Sequence, residues 1–334
     1  MQRAVLGAAW GAARAPPCRW FRGAPPARAL DKAALLELRR RTGLPVLQCR
    51  AALERCGGAL QQAEAWLQEE ARRLGCLRAA ESGGSEGLVG LFREGSAAVM
   101  VEINCETDFV ARTADFGRVV ERAALSTMAM CRAAPPGCSR HLLSEEELSQ
   151  LRTEEGEMLS DHIAVATTKL GERVALRRAA WLRVPRRRGL IGAYAHGRTA
   201  AAAPSPVATG TYGALVALVT PEGGGGGGGD VGVTAAAQLE ELGRRVAQHV
   251  VGLAPSALGR EGEAPRGDDE PRLLAQSFLL APEMAVGQIL RRSGAKAVDF
   301  VRFRCGDRHE VIAPGDVEPE VGEEDGRTDG AEGR

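Results

Sequence analysis

The sequence lacks the cysteine and lysine patterns of several protein classes. None of its eight cysteines forms a Cys-x-x-Cys pair, which argues against a structural metal or a disulfide framework. Reduced thiols in a matrix-type compartment fit this pattern better. Only three of the 43 basic residues are lysines, and the net charge is zero. This balance argues against a nucleic-acid-binding surface.

Catalytic and membrane motifs are also missing. The sequence contains no Ser/His/Asp triad, no paired general acid and base, and no dinucleotide fingerprint, so we expect neither covalent chemistry nor a cofactor. Seven consecutive glycines, residues 223–229, precede Asp230 and are not followed by Lys-Ser/Thr, which argues against a phosphate loop. They predict a flexible insertion instead. The uncharged residues 199–221 contain prolines and glycines that favour a loop and a buried strand over a membrane span.

Charge is unevenly distributed between the two ends of the chain. Residues 1–30 contain five arginines and no acidic residue, a composition that favours an organelle transit peptide over a disordered tail. Without these five arginines, the net charge of zero becomes −5. Residues 307–334 are predicted to be an acidic disordered tail, because residues 316–334 contain eight acids and two arginines.

Residues 31–74 contain three short segments with helical spacing of apolar residues. The predicted helices cover about 32–41, 45–56 and 59–72, and glycines follow the first two, as expected at helix ends. Three helices in so short a segment predict a ubiquitin-associated-like bundle. Residues 75–86, which include Ser-Gly-Gly-Ser, are predicted to be a linker.

The remaining residues, 87–306, alternate between strand and helix patterns. The predicted strands cover 87–94, 97–104, 172–184, 189–196 and 212–219, and the predicted helices cover 114–130, 144–170 and 234–251. A strand-helix-strand element over about 277–305 follows. Because the strand-turn-helix order recurs, we predict an α+β core. Its two similar subdomains, residues 87–197 and 198–306, would each contain a small antiparallel sheet packed with helices.

The most distinctive segment follows the strand 97–104, whose alternation places Val99, Val101 and Ile103 on one buried face. The chain then passes through the polar run Asn-Cys-Glu-Thr-Asp before the next large apolar residue, Phe109. Spacing alone favours Asp108 as a capping residue and Phe109 as a core residue. The alternative is a rigid projecting aromatic with a carboxylate beside it.

Several segments resemble one known family. The run Asn-Cys-Glu-Thr-Asp-Phe-Val-Ala-Arg, residues 104–112, resembles the signature of elongation factor Ts, the nucleotide-exchange factor for the translation GTPase elongation factor Tu. Residues 38–53 resemble the N-terminal domain of that family. Residues 284–290 and 299–303 resemble its closing helix and strand. The resemblance covers roughly residues 35–306 and, with the N-terminal composition, implies a mitochondrial member.

The resemblance implies a guanine-nucleotide exchange factor without catalytic chemistry, whose partner is mitochondrial elongation factor Tu. Phe109 would insert between helices of the GTPase, and Asp108 would disturb the surroundings of its magnesium ion. His249 matches a family histidine near the GTPase phosphate loop. On spacing alone, His249 could equally be a buried core residue.

In the helical bundle, Val46, Leu47 and Arg50 match family positions that contact the GTPase. The alternative for Val46 and Leu47 is the bundle core, which their spacing supports equally well. Arg50 stands where the family often has lysine, so the geometry of any salt bridge there would differ.

Two other classes are compatible with parts of the sequence. A ubiquitin-associated-type adaptor would use the bundle as its binding site and the core as scaffold, but the 104–112 signature disfavours it. A structural mitoribosomal or RNA-binding protein is disfavoured by the acidic charge of residues 31–334.

Overall fold

The computed structural model describes residues 31–79, 84–135, 139–186, 188–197, 205–220, 230–267 and 269–307. The predicted transit segment 1–30 and glycine insertion 223–229 lie outside these residues, as does nearly all of the predicted tail 307–334. The chain divides into two compact units, one ending at Leu67 and the other beginning at Gln68.

The first unit has the predicted three-helix bundle. Helix α1 is Lys32–Thr42, α2 is Val46–Arg55, and α3 is Leu60–Ala79. Asp31 caps α1 by accepting a hydrogen bond from the backbone N–H of Ala33 at 2.9 Å, and α1 ends at Gly43 in the left-handed conformation. Leu38, Cys49, Leu53, Ala63 and Leu67 are among the buried residues of this unit.

The second unit contains strands and helices in mixed order. In chain order they are β1 Glu86–Glu94, β2 Ala97–Cys105, α4 Asp108–Ala111, α5 Ala114–Ala133, β3 Ser139–Leu142, α6 Glu145–Ser149, α7 Leu159–Leu170, β4 Ala175–Arg183, β5 Gly189–His196, β6 Ala208–Gly210, β7 Tyr212–Val219, α8 Asp230–Leu253, β8 Ser277–Phe278, β9 Ala281–Ala285, α9 Val286–Arg292 and β10 Lys296–Arg304. The α+β class is confirmed.

These strands form two main antiparallel sheets. The first has the order β3-β4-β2-β1-β6, and the second has the order β10-β7-β5. Helix α5 covers the outer face of the first sheet, where Phe116, Val120 and Met128 pack against Val99 and Val101. Helix α8 covers the second sheet. The two sheets do not divide at residue 197, where the predicted subdomains 87–197 and 198–306 meet, because β5 pairs with β7 while β6 pairs with β1.

The inner faces of the two sheets share a third apolar cluster. Leu91 and Met100 from the first sheet pack with Leu215 and Phe303 from the second. Strand β2 is therefore buried on both faces from Ala98 onwards, whereas its alternating sequence predicted a half-buried strand. The alternation correctly predicted which face of β2 is buried beneath α5. It could not predict that another sheet covers the opposite face.

The single long helix predicted over residues 144–170 is two helices, α6 and α7, joined by residues 150–158. Ser144 caps α6 in a reciprocal capping box with Glu147. A turn at Gly156 follows, where φ is +85°, and it redirects the chain before α7. The polar composition of the connecting residues resembles a solvated helix, so periodicity alone did not reveal the break.

Helix α8 approaches β5 through two glycines, and this contact yields a stability prediction. A Cβ atom on Gly192 would lie 2.1 Å from the backbone oxygen of Gly243. We therefore expect Gly192→Ala to lower the melting temperature, since the helix backbone must move and overpacking costs about 1–3 kcal/mol or more. Gly117→Ala in α5, where an added Cβ meets nothing within 4 Å, is the matched control and should be neutral or stabilising. Equal melting temperatures for the two variants would contradict this packing.

Candidate functional site

The corner between β2 and α4, residues 105–109, is organised by Thr107. Its hydroxyl oxygen accepts a hydrogen bond from the backbone N–H of Val110 at 3.3 Å, so Thr107 is the N-cap of α4. The prediction that Asp108 caps this turn is wrong. Asp108 is instead the first residue of the helix, where a negative charge is favoured by the helix dipole.

The segment before β4 fixes this corner from outside. Glu172 accepts hydrogen bonds from the backbone N–H of Thr107 at 3.1 Å and from its hydroxyl at 2.7 Å. The backbone N–H of Arg173 donates to the carboxylate of Glu106 at 3.2 Å. Glu172 lies 65 residues from Thr107 in sequence, and no local pattern indicated its role. These contacts hold the backbone of the corner in one position relative to the start of β4.

Phe109 projects into solvent at the corner. Its side chain is 76% exposed, whereas the next two residues, Val110 and Ala111, are 5% and 6% exposed. The prediction from spacing that Phe109 fills the core is therefore wrong, because Val110 and Ala111 occupy the space beneath this one-turn helix. The carboxylate of Asp108 is also exposed and accepts a hydrogen bond from Arg112 at 2.7 Å. The corner thus presents an aromatic ring beside a carboxylate.

Three cysteines of the second unit are not nucleophiles at neutral pH. Burial raises the pKa of both Cys105 and Cys305 to about 12 and that of Cys131 to about 11, so their thiols remain protonated. Within the described residues, no group of histidine, cysteine and acidic side chains could bind a metal ion, and no helix has the length and apolar character needed to cross a membrane.

His249 lies in the core beneath the end of α8. Its side chain is 0% exposed, its Nδ1 accepts a hydrogen bond from the backbone N–H of Leu279 at 3.1 Å, and its Nε2 lies 2.9 Å from the side-chain oxygen of Gln276. Of the two interpretations that the sequence allowed, the structure places His249 as the buried, hydrogen-bonded one.

Three exposed leucines lie close to His249. Leu253 at the end of α8 is 44% exposed, and Leu279 and Leu280, between β8 and β9, are 45% and 50% exposed. Leu279 packs close to the last turn of α8, since a Cβ on Gly252 would lie 3.7 Å from its side chain. The sequence analysis missed this patch, although two adjacent leucines in a short turn between strands were a visible signal.

The buried ring of His249 predicts a specific acid sensitivity. Burial lowers its pKa below the ordinary value of 6.5, so the folded protein keeps the ring neutral while the unfolded chain takes up a proton. The free energy of unfolding is therefore unaffected by protonation of this ring above pH 6.5. It falls by up to about 1.4 kcal/mol per pH unit as the pH drops from 6.5 through the lowered pKa of the folded state. Urea unfolding at pH 7.5 and 5.5 should show a smaller pH-dependent loss for His249→Gln than for the natural chain. The exposed His196→Gln variant keeps His249 and is the control, so it should lose as much stability as the natural chain. A His249→Gln variant that loses as much stability as this control would refute the prediction.

The three bundle residues lie on the surface of the first unit. Val46 and Leu47, in the first turn of α2, are 39% and 79% exposed. Arg50 is exposed and forms an ion pair with Glu54 at 2.9 Å. The buried face of α2 consists of Cys49, Ala52 and Leu53, so the core interpretation of Val46 and Leu47 is wrong. Both leave apolar surface available to a partner.

Comparison with known proteins agrees with the signature at the corner. A family model described as Elongation factor TS matches residues 106–266, and one described as Elongation factor Ts, mitochondrial, N-terminal, matches residues 20–76. Three curated relatives carry the name "Elongation factor Ts, mitochondrial". The mouse protein is 43% identical over 293 residues, covering 85% of this chain and 86% of its own. The human protein is 42% identical over 295 residues, with the same shares of each chain. The Salmo salar protein is 43% identical over 288 residues, covering 84% of this chain and 88% of its own. The chain therefore belongs to the mitochondrial elongation factor Ts family.

Proposed function

We propose that this chain binds mitochondrial elongation factor Tu in its GDP-bound form and promotes GDP release by disturbing the magnesium and phosphate site. Membership of the family supports the coarser part of the proposal, a mitochondrial factor for nucleotide exchange in translation elongation. The finer part concerns which residues contact the GTPase and what they do there.

The observation that supports the proposal most directly is the exposure of Phe109. An isolated exposed apolar residue is common on protein surfaces and needs no explanation. Phe109, however, lies on a one-turn helix that Thr107 caps and Glu172 fixes, so little conformational entropy is lost when its ring enters a partner. Preorganised aromatic side chains of this kind supply much of the binding energy at protein interfaces.

The exchange mechanism follows from linkage. A GTPase holds its nucleotide through backbone amides around the phosphates and through magnesium. Any partner that binds the nucleotide-free form more tightly than the GDP-bound form must lower the affinity for GDP by the same factor. Insertion of Phe109 between helices of the GTPase would favour the nucleotide-free form, provided that the inserted ring and bound magnesium are incompatible.

Asp108 would act beside Phe109 through its charge. In the free protein its carboxylate is paired with Arg112 at the surface, where solvent makes such pairs weak. This weak pairing leaves the carboxylate available to approach the magnesium site and to compete for its water ligands and neighbouring side chains. The chain needs no magnesium or nucleotide of its own for this role.

The remaining contacts would come from other residues of each unit. Val46, Leu47 and Arg50 supply apolar surface and one cation in the first unit. His249 would contribute indirectly, since its ring accepts the backbone hydrogen bond of Leu279 and thereby positions the exposed leucines of the second unit. In this proposal the leucines, and not the buried imidazole, form the contact.

The direct test is nucleotide release. Purified residues 31–334 should accelerate the release of fluorescent GDP from mitochondrial elongation factor Tu in stopped-flow measurements, and excess magnesium should oppose the effect. Immobilised ubiquitin provides the control for the adaptor alternative. A chain that binds ubiquitin but leaves the GDP release rate unchanged would replace the exchange proposal with the adaptor function.

A further inference from the structure

The hairpin of β8 and β9 has a turn that its own residues do not favour. Leu279 and Leu280 connect the two strands, and the residue pair next to the turn is Phe278 with Ala281. Two-residue hairpin turns favour glycine or asparagine, because they require a positive φ. Leucine occupies both positions here, and neither leucine has a positive φ. A two-stranded hairpin is also only marginally stable by itself, so this turn needs support from outside the hairpin.

His249 on α8 supplies that support through one hydrogen bond. Its Nδ1 accepts the backbone N–H of Leu279 at 3.1 Å. A ring nitrogen that accepts a hydrogen bond carries no proton, so the proton of the neutral ring must lie on Nε2. The bond to the turn therefore depends on both the tautomer and the orientation of the His249 ring.

Gln276 fixes both properties of this ring. Its side-chain oxygen lies 2.9 Å from Nε2 of His249 and accepts the proton there, while its side-chain nitrogen donates to the backbone oxygen of Glu270 at 2.7 Å. A reversed amide would oppose two donors at the ring and two acceptors at Glu270. Gln276 and His249 are 6% and 0% exposed, so the loss of either bond leaves a buried polar atom unpaired.

The far end of this chain of hydrogen bonds is held at Glu270. Arg272 donates Nε and Nη2 to the two carboxylate oxygens of Glu270 at 2.6 and 2.7 Å. The backbone N–H groups of Arg266 and Arg272 donate to the same carboxylate at 2.6 and 2.9 Å. Paired bonds between arginine and carboxylate fix a planar geometry. The backbone oxygen that accepts from Gln276 is therefore held by groups outside the hairpin.

We infer that Gln276 is a positioning residue for nucleotide exchange, because it orients His249 and His249 holds the turn Leu279–Leu280 as a preformed contact for the GTPase. The leucines are 45% and 50% exposed. A turn that already has its bound conformation loses less conformational entropy when a partner covers it. The contact with the GTPase rests on the proposed function, whereas the hydrogen bonds from Gln276 to the turn do not.

The first test measures the turn in the free protein, residues 31–334, by amide hydrogen exchange with NMR detection. Gln276→Met keeps the length of the side chain and removes both of its hydrogen bonds. Gln288→Met is the matched control, because Gln288 is exposed and accepts one backbone hydrogen bond, from Ala285, at 3.2 Å. We expect the Leu279 amide to exchange at least tenfold faster in Gln276→Met than in the control.

The amide of Val216, in the middle of β7, reports on the stability of the whole fold in the same experiment. Its exchange should change much less than that of Leu279. The inference is overturned if the Leu279 amide exchanges equally fast in Gln276→Met and in the control. It is also overturned if Val216 and Leu279 are accelerated by the same factor, because Gln276 would then support the fold and not the turn.

The second test asks whether Gln276 acts through the leucines. The factor concentration that gives half-maximal GDP release from mitochondrial elongation factor Tu is measured for the natural chain, for Gln276→Met, for Leu279→Ser with Leu280→Ser, and for all three changes together. Gln276→Met should raise this concentration at least fivefold in the natural chain and less than twofold in the serine background, since coupled residues do not act additively.

Equal factors in the two backgrounds would overturn the inference, because Gln276 would then affect the partner by another route. A natural chain that does not accelerate GDP release would overturn the proposed function and with it the role of Gln276 in exchange. In that case the exchange rate of the Leu279 amide would still decide whether Gln276 holds the turn.

Discussion

Replacing Phe109 by alanine is expected to leave the melting temperature nearly unchanged and to slow factor-stimulated GDP release by about 30-fold or more. The stability of the fold changes little because the ring is 76% exposed and contributes little to the core. The rate falls because truncating a central interface aromatic costs about 2–4 kcal/mol, and each 1.4 kcal/mol is a factor of ten. Stopped-flow GDP release and thermal melting of the same preparation provide both measurements.

Phe116→Ala is the matched control for this prediction. Phe116 lies seven residues further along the chain, at 0% exposure in the core beneath α5. Removing its ring should cost about 3–5 kcal/mol of stability, which corresponds to a fall in melting temperature of about 6–20 °C. At temperatures where this variant is still folded, its exchange activity should be close to that of the natural chain.

The two phenylalanines therefore separate binding from folding. If Phe109→Ala melts like Phe116→Ala, its ring belongs to the core and the assignment of the corner as a contact site fails. If Phe109→Ala melts normally and also releases GDP at the natural rate, the corner does not contribute to exchange. In that case the exposed leucines of the second unit or the first turn of α2 would have to supply the essential contacts.

The corner also shows what the sequence could predict and what it could not. The strand, the polar turn and the following helix were all visible in the alternation and in the run of polar residues after residue 103. The exposure of Phe109 was not visible in the sequence, because it depends on Val110 and Ala111 filling the space beneath α4. The Glu172 contact was equally invisible, since a residue 65 positions away in sequence leaves no local periodic signal.

His249 and β2 illustrate a second limit of the sequence. The apolar spacing around His249 allowed either a buried or an exposed ring, and only the packing of residues 276–279 against α8 decides between them. In β2, alternation identified the face beneath α5 but treated the opposite face as exposed. The packing of one sheet on another depends on residues far apart in the sequence, so the pattern of a single strand does not predict it.

Glu102 lies on that second face of β2, and Glu102→Ala is expected to be among the most destabilising substitutions in the protein. The side chain is 0% exposed and accepts hydrogen bonds from Arg178 at 2.6 Å and from the backbone N–H of Gly306 at 2.9 Å. Its removal takes the Glu102 carboxylate away from the guanidinium of Arg178, which is 15% exposed. Breaking a buried ion pair in this way costs about 3–5 kcal/mol.

Thermal and urea unfolding of residues 31–334 should show this loss directly, with Glu241→Ala as the control. Glu241 also bonds two arginines, Arg244 and Arg245, and these bonds lower its pKa to about 2. Glu241 nevertheless lies at the surface of α8, where solvent screens the pairs, so its removal should leave the melting temperature nearly unchanged. Glu102→Gln, which preserves an acceptor for Gly306, should fall between the two. If Glu102→Ala had the same melting temperature as the Glu241→Ala control, water would have to reach the carboxylate of Glu102, and the sheets would not enclose it.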